Sequence, residues 1–345
     1  MTRNISHLFM ILSVGFLPVT WPVKAGGPGK SAIYQTREIS RIRHAPLQSD
    51  PTEQTRSRFV MGTLLEVTVV GHNILHTSKL LDMAFEEAER QNDILSDWND
   101  SSELMRFAAR AGTGWIVVSS NLARALKDSL ALGIETGGAF DVTVGPLTHA
   151  KRHNSDHPVN IAPIVGLEHL HVLGAHARLD RPGMILDLGG IGKGFAADRI
   201  RARLESAGAL AGFINFGTST LLGFGNREWP ILVVDFFGRP WTIWILVNAA
   251  MSTSEASAAK DDIINPNPKR PVTTPSRVTA LGWSATRVEG WTTAGIVLGR
   301  AGLEKMKRPP DLLMIHEDSA GLTRWTGPAA PDPRQTRIQV LQDGS

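Results

Sequence analysis

Ile185-Leu186-Asp187-Leu188-Gly189-Gly190-Ile191-Gly192-Lys193-Gly194-Phe195-Ala196-Ala197-Asp198 packs a carboxylate at Asp187, four glycines and a helix start into fourteen residues. Positions without a Cβ let backbone N–H groups approach a ligand closely, and the following helix N-terminus adds partial positive charge. Ala197, Ile200, Leu204 and Ala207 then recur at helical spacing, so the loop feeds a helix. From these residues alone the segment is either an anion cradle or a tight strand-to-helix turn.

The chain around it has 345 residues, 42% of them apolar and 20% charged, which is ordinary globular composition and excludes disorder of the whole. The formal charge is +3, with Lys and Arg scattered and no aromatic-interleaved basic patch, so nucleic acid is not an expected partner. At the N-terminus, Arg3 precedes a short apolar run over residues 8–19, and Val23-Lys24-Ala25 offers a small-residue cleavage site. Residues 1–25 therefore read as a secretory signal peptide, the run being short of the roughly 20 apolar residues that a membrane span needs. A periplasmic mature chain is expected. It contains no cysteine, which excludes both disulfides and a lipid anchor on an N-terminal cysteine.

Residues 26–56 are rich in Gly, Pro, Ser, Arg and Gln without apolar periodicity, and read as a flexible leader. One folded domain is expected over 57–326, with a Pro-rich, loosely wrapped tail over 327–345. After Met61-Gly62-Thr63, Leu65, Val67 and Val69 alternate with polar residues and predict a half-buried strand. Ser78 is placed to cap a helix whose stripe is Leu81, Phe85, Ala88 and Leu95, with Glu86, Glu87, Glu89 and Arg90 facing water. A short strand at 115–118 and a helix capped by Ser120 follow, then strands near 213–216, 231–236, 241–247, 278–285 and 312–315. Helices and strands do not alternate regularly, so the fold class is α+β, with mixed sheets and packed helices.

Four further segments have the composition of ligand-binding turns: Met61-Gly62-Thr63, Gly137-Gly138-Ala139-Phe140-Asp141-Val142-Thr143, Asn215-Phe216-Gly217-Thr218-Ser219 and Glu289-Gly290-Trp291-Thr292-Thr293-Ala294. With the glycine loop, and in this order and spacing, they resemble the ApbE-type FAD:protein FMN transferases. The resemblance spans residues 61–299. It is carried above all by the stretch from Gly138 to Leu147 and by the run from Asp187 to Asp198. It implies an ApbE-like, T-fold-related architecture with a flavin site between two subdomains. It also implies a magnesium-dependent reaction in which the pyrophosphate of FAD is split, FMN is joined through a phosphoester to a threonine of an acceptor protein, and AMP leaves. The acceptor would be a membrane-attached redox subunit. Splitting a doubly charged pyrophosphate calls for a hard cation on oxygen ligands together with backbone N–H donors.

Carried over residue by residue, the resemblance implies that Gly190, by its carbonyl, and Glu289, Thr292 and Thr293 hold the metal. Glu289 stands where the family has Asp, which keeps the charge and moves the carboxylate out by one methylene. Flavin contacts fall on Met61, Trp98, Ala139, Phe140, Asp141, Asp187, Lys193 and Ile263. Trp98, 37 residues after Met61, stands where relatives commonly have Tyr and could stack on an isoalloxazine face. Bland readings stand beside these: a helix N-terminal charge for Glu289, core packing for Trp98 and Phe140, turn residues for Asp141 and Asp187, a solvated first-turn residue for Lys193.

The largest departure lies at 252–272. Where relatives have Thr-Ser-Gly and then His-Ile-Ile-Asp-Pro, this chain has Thr253-Ser254-Glu255 and Asp262-Ile263-Ile264-Asn265-Pro266. Asp262 thus takes the place of a His suited to deprotonate the incoming threonine, although a carboxylate at its ordinary pKa of about 3.9 is a weaker base than imidazole at about 6.5. Two other functions stay open on this ground: an FAD-binding carrier or maturation factor without transferase activity, and a metal-dependent FAD pyrophosphatase.

Overall fold

The computed structural model describes residues 51–152, 162–234, 239–260, 262–306, 309, 311–326 and 336–340. The expected signal peptide, most of the leader and most of the tail lie outside them.

The alternation at Leu65, Val67 and Val69 forms a strand as expected, and it is the second of two. β1 (Thr52–Val60) pairs antiparallel with β2 (Thr63–Gly71) along its full length, from Thr52 opposite Gly71 to Val60 opposite Thr63. The expected leader therefore ends at least five residues early. Its last residues were missed because the side chains they turn inward are polar and bind a helix by hydrogen bonds. Arg56 donates to Asp82 and to the hydroxyl of Ser78, each at 2.6 Å.

That helix is α1 (Ile74–Leu95), with Leu81, Phe85, Ala88 and Leu95 buried. Asn73 caps it, accepting from the His76 N–H, and Ser78 lies inside it. Glu87, expected at the surface, is 2% exposed. Its carboxylate is paired with Arg203 and Arg90 and accepts from Gln91, which satisfies the buried charge. α2 (Glu103–Ala108) and the short β3 (Ile116–Val117) precede α3 (Ser120–Glu135), which Ser119 caps, one residue before the expected Ser120.

α4 (Gly145–Arg152) is followed by β4 (Leu170–Leu173) and β5 (His176–Leu179), which join β3 in a small sheet. The glycine loop then opens α5 (Gly192–Ser206). The strand-rich remainder runs β6 (Ala211–Phe216), β7 (Thr220–Gly225), β8 (Trp229–Val234), β9 (Pro240–Leu246), β10 (Ala249–Ala256), the two-residue pair β11 (Ile264–Asn265) and β12 (Arg270–Pro271), and β13 (Ser276–Gly282). α6 (Ala285–Lys305), β14 (Leu313–Asp318), β15 (Gly321–Thr326) and β16 (Thr336–Val340) complete the order. β16 pairs with β9, so the stretch expected to be a loose tail contains a strand.

The main sheet has eight antiparallel strands in the order β1-β2-β6-β7-β10-β13-β14-β15. Its central strands are buried on both faces, and period-2 geometry splits their side chains between two cores. Leu222, Ala250 and Ala280 belong to the larger core, which holds α1, α3, α5 and α6. Leu221, Met251 and Leu281 belong to a second, built with Trp229 and Trp244 of the β8-β9 sheet. Helices on one face and a small sheet on the other make this an α+β architecture, as expected.

Candidate active site

Two helix N-termini meet beneath the candidate site. A Cβ on Gly194 would lie 2.2 Å from the carbonyl oxygen of Ala285, so only glycine lets α5 approach α6 this closely. Asp198 then fastens the pair. Its carboxylate accepts from the Ser284 hydroxyl, the N–H groups of Ala285 and Thr286, and the Thr286 hydroxyl, at 2.7–3.0 Å. These bonds satisfy N–H groups that the first turn of a helix leaves unpaired.

The segment from Gly138 to Leu147 backs onto the same loop. The N–H of Asp187 donates to the carbonyl of Val142 at 2.8 Å, and a Cβ on Gly145 would sit 2.3 Å from the carbonyl of Ile185. Asp141 accepts the N–H and hydroxyl of Thr143 on one carboxylate oxygen at 2.7 and 2.6 Å. Burial pushes its carboxyl above the ordinary range, against those bonds. Asp187 closes a turn by accepting the Gly189 N–H at 2.8 Å. The Phe140 ring packs against Gly190, where a Cβ would lie 3.0 Å from its edge and 3.3 Å from the Thr293 hydroxyl.

Glu289, in the second turn of α6, is 3% exposed. One of its oxygens accepts the Gly194 N–H at 2.6 Å; the other accepts from the Thr220 hydroxyl at 3.3 Å and is ion-paired with Lys193. Thr292 is fully buried, accepting from the Ser254 hydroxyl at 2.8 Å and donating to the Glu289 carbonyl at 2.9 Å.

These groups surround a cavity of about 720 Å³. Of the residues expected in the site, it is lined by Ala139, Phe140, Asp141, Asp187, Gly190, Lys193, Asp262, Ile263, Glu289 and Thr293. Its volume falls in the range of cofactor sites. Met61 is not in the wall but stands behind the loop, its methyl 3.6 Å from where a Cβ on Gly192 would be. Thr292 supports Glu289 from behind the wall. Trp98, on the turn after α1, is 73% exposed and does not line the cavity. In the Asn215-Phe216-Gly217 turn Asn215 accepts the Thr218 N–H at 2.9 Å, Gly217 and Thr218 both have positive φ, and Gly217, Thr218 and Ser219 also line the cavity.

A further part of the wall comes from β10 and the segment after it, including Ser252, Thr253, Ser254, Glu255 and Lys260. Glu255, where a glycine was the expected pattern, is held by Lys260 and by Arg277 at 2.6 Å. Burial works to raise its carboxyl, but these bonds win and hold it below the ordinary range. Thr220, which links Glu289 toward Ser252 through hydroxyls, was missed from sequence; its one signal is the hydroxyl run from Thr218 to Thr220.

Among the described residues, no group of three His, Cys, Asp or Glu side chains is placed to hold a metal ion. A cation here would rest on the Glu289 carboxylate, the Thr293 hydroxyl and the Gly190 carbonyl, a hard-oxygen set suited to Mg²⁺. The Lys193 ammonium already pairs with that carboxylate, so this corner of the wall fits a positive charge.

Fold and site together define a member of one family: residues 61–315 match the ApbE family model, and the chain belongs to the ApbE family. It is 27% identical to the FAD:protein FMN transferase of Salmonella typhimurium, over 81% of this chain and 89% of that protein. The transferase of the same name from Klebsiella pneumoniae is also 27% identical, over 78% and 85% of the two chains. The fold matches the flavin transferase ApbE from Vibrio cholerae with a TM-score of 0.68 at 24% identity, covering 81% of this chain and 98% of that one. It also matches the apo form of Pseudomonas stutzeri flavinyl transferase ApbE, with a TM-score of 0.69 at 20% identity and coverage of 81% and 96%.

Proposed function

We propose that this chain is an FAD:protein FMN transferase that works with Mg²⁺, attaches FMN to a threonine of an acceptor protein and releases AMP. The observation that carries the reading is the convergence of Ala139-Phe140-Asp141, Asp187, Lys193 and Glu289 on one cavity, within a chain whose relatives are transferases of this name. The glycine loop and Lys193 would face the pyrophosphate, and Asp141 and Asp187 the polar groups of the flavin nucleotide.

Gly190, Glu289 and Thr293 would hold Mg²⁺, which supplies charge neutralisation to the pyrophosphate when bound. Asp262 is exposed and in the cavity wall, so it can take the proton of the threonine hydroxyl as that oxygen bonds to the FMN-side phosphorus. The P–O bond to the AMP phosphate breaks, and its electron pair leaves with AMP. The predicted signal peptide supports export to the periplasm, where the acceptor would be a membrane-attached redox protein. Among the described residues no helix is long and apolar enough to cross a membrane.

The test incubates the chain with FAD, Mg²⁺ and an acceptor domain. Covalent flavin fluorescence on the acceptor with equimolar AMP is expected. AMP without labelled acceptor would make the protein a pyrophosphatase, and FAD binding without either product would make it a carrier.

A further inference from the structure

Lys193 and Glu289 hold each other in a way that a substrate must undo. Glu289 is buried, both residues line the cavity, and Lys193 lies on the first turn of α5 with its side chain 26% exposed. The Gly194 N–H fixes one Glu289 oxygen at 2.6 Å, which leaves the other for Lys193 and Thr220. A metal ion taking that oxygen would meet the ammonium at contact distance, where like charges repel strongly in a poorly solvated wall. The backbone of Lys193 is fixed by the helix, whereas its four-carbon stem rotates freely. The displaced ammonium would stay at the first turn of α5, where the helix N-terminus favours an anion in the cavity.

We infer that Lys193 is a tethered counter-ion that exchanges partners: it neutralises Glu289 in the empty site, and passes to the flavin pyrophosphate when a divalent cation takes Glu289. The inference rests on the reading of Glu289 as a cation ligand. It makes the cation and the pyrophosphate bind as a unit. Metal alone must expel the lysine with nothing to receive it, and flavin alone must draw the lysine off a buried carboxylate, leaving that charge unpaired. Together each compensates the other, and the coupling is reciprocal.

Calorimetry with Mg²⁺ and fluorescence titration with FAD test this without turnover. In the wild type, each ligand should tighten the other by about tenfold or more, a coupling of ordinary size for linked sites. Lys193→Met should bind Mg²⁺ alone about tenfold more tightly than wild type, with the coupling reduced by a similar factor. Glu289→Gln should lose Mg²⁺ binding and bind FAD more tightly than wild type in EDTA, because its lysine is already released. Unchanged Mg²⁺ affinity in Lys193→Met, or independent binding in the wild type, would overturn the exchange. Full Mg²⁺ affinity in Glu289→Gln would instead overturn the reading of Glu289 as a cation ligand. Lys193→Gln, nearer in polarity, repeats the test if the methionine variant does not fold.

Discussion

The carboxylate of Asp198 on α5 accepts both the N–H and the hydroxyl of Thr286 on α6, at 3.0 and 2.7 Å. With its bonds to Ser284 and Ala285, this one side chain sets the distance between the two helix starts that support the cavity. Asp198→Ala leaves several donors unpaired at once and should cost about 2–4 kcal/mol, read as a lowered urea midpoint. Asp198→Asn keeps one acceptor oxygen, enough for the three donors that share a single carboxylate oxygen but not for the Ala285 N–H, and should lose less.

Two glycines of the loop should fail differently. Gly194→Ala drives a methyl into the backbone of Ala285, which cannot yield, and should lower stability by about 3 kcal/mol or more. Gly190→Ala meets the edge of a ring and a threonine side chain, which can shift by a few tenths of an ångström. Its urea midpoint should move little, while FAD affinity falls about tenfold as the wall advances into the cavity.

Titration of two cavity carboxyls should act in opposite directions. Glu255 is held below its ordinary value of 4.5 by Lys260 and Arg277, so the stability it contributes is present above that value and is lost as pH falls through its lowered pKa. Glu255→Gln should flatten this acid loss in urea midpoints compared between pH 7 and pH 3.5. Asp141 is raised by burial, so its contribution is present below its ordinary 3.8 and is lost as pH rises through the raised value. Asp141→Asn retains an acceptor for Thr143 and should leave stability at pH 7 equal to or above wild type, with weaker FAD binding.

Asp262 carries the proposed proton transfer, so Asp262→Asn should lower kcat for acceptor flavinylation by about 10²-fold, with the FAD Kd within twofold of wild type. Asp262→His should restore turnover with a rate that rises through the imidazole range near pH 6.5. Stopped-flow labelling of the acceptor over pH 5–9 separates the two.

The helical stripes and the apolar strands could be read from sequence because burial imposes a period, as at Leu65, Val67 and Val69 or at Leu81, Phe85 and Ala88. β1 could not, since Arg56 donates to Ser78 and the Thr52 carbonyl accepts from Thr77, both on α1, so polar groups hold it in place of an apolar stripe. Glu87 looked like a surface residue because its partner Arg203 is 116 positions away. In the site, the glycine positions were legible because only glycine allows such close approach, and the carboxylate positions because they fall within motifs of the family. The run from the Ser252 and Thr220 hydroxyls to Glu289, and the Glu289–Lys193 pair, were not legible, since the second depends on the packing of α5 against α6 and the first on the sheet order that sets β7 beside β10.

That order has a kinetic consequence. β2 pairs with β6, with Leu65 opposite Phe216, and the cavity wall draws on residues from Ala139 to Thr293. Closing such distant segments is entropically slow, and no shorter stretch of the chain contains the wall. During synthesis the chain stays without a nucleotide pocket until α6 has emerged. Capture of flavin is therefore deferred to the last stage of maturation.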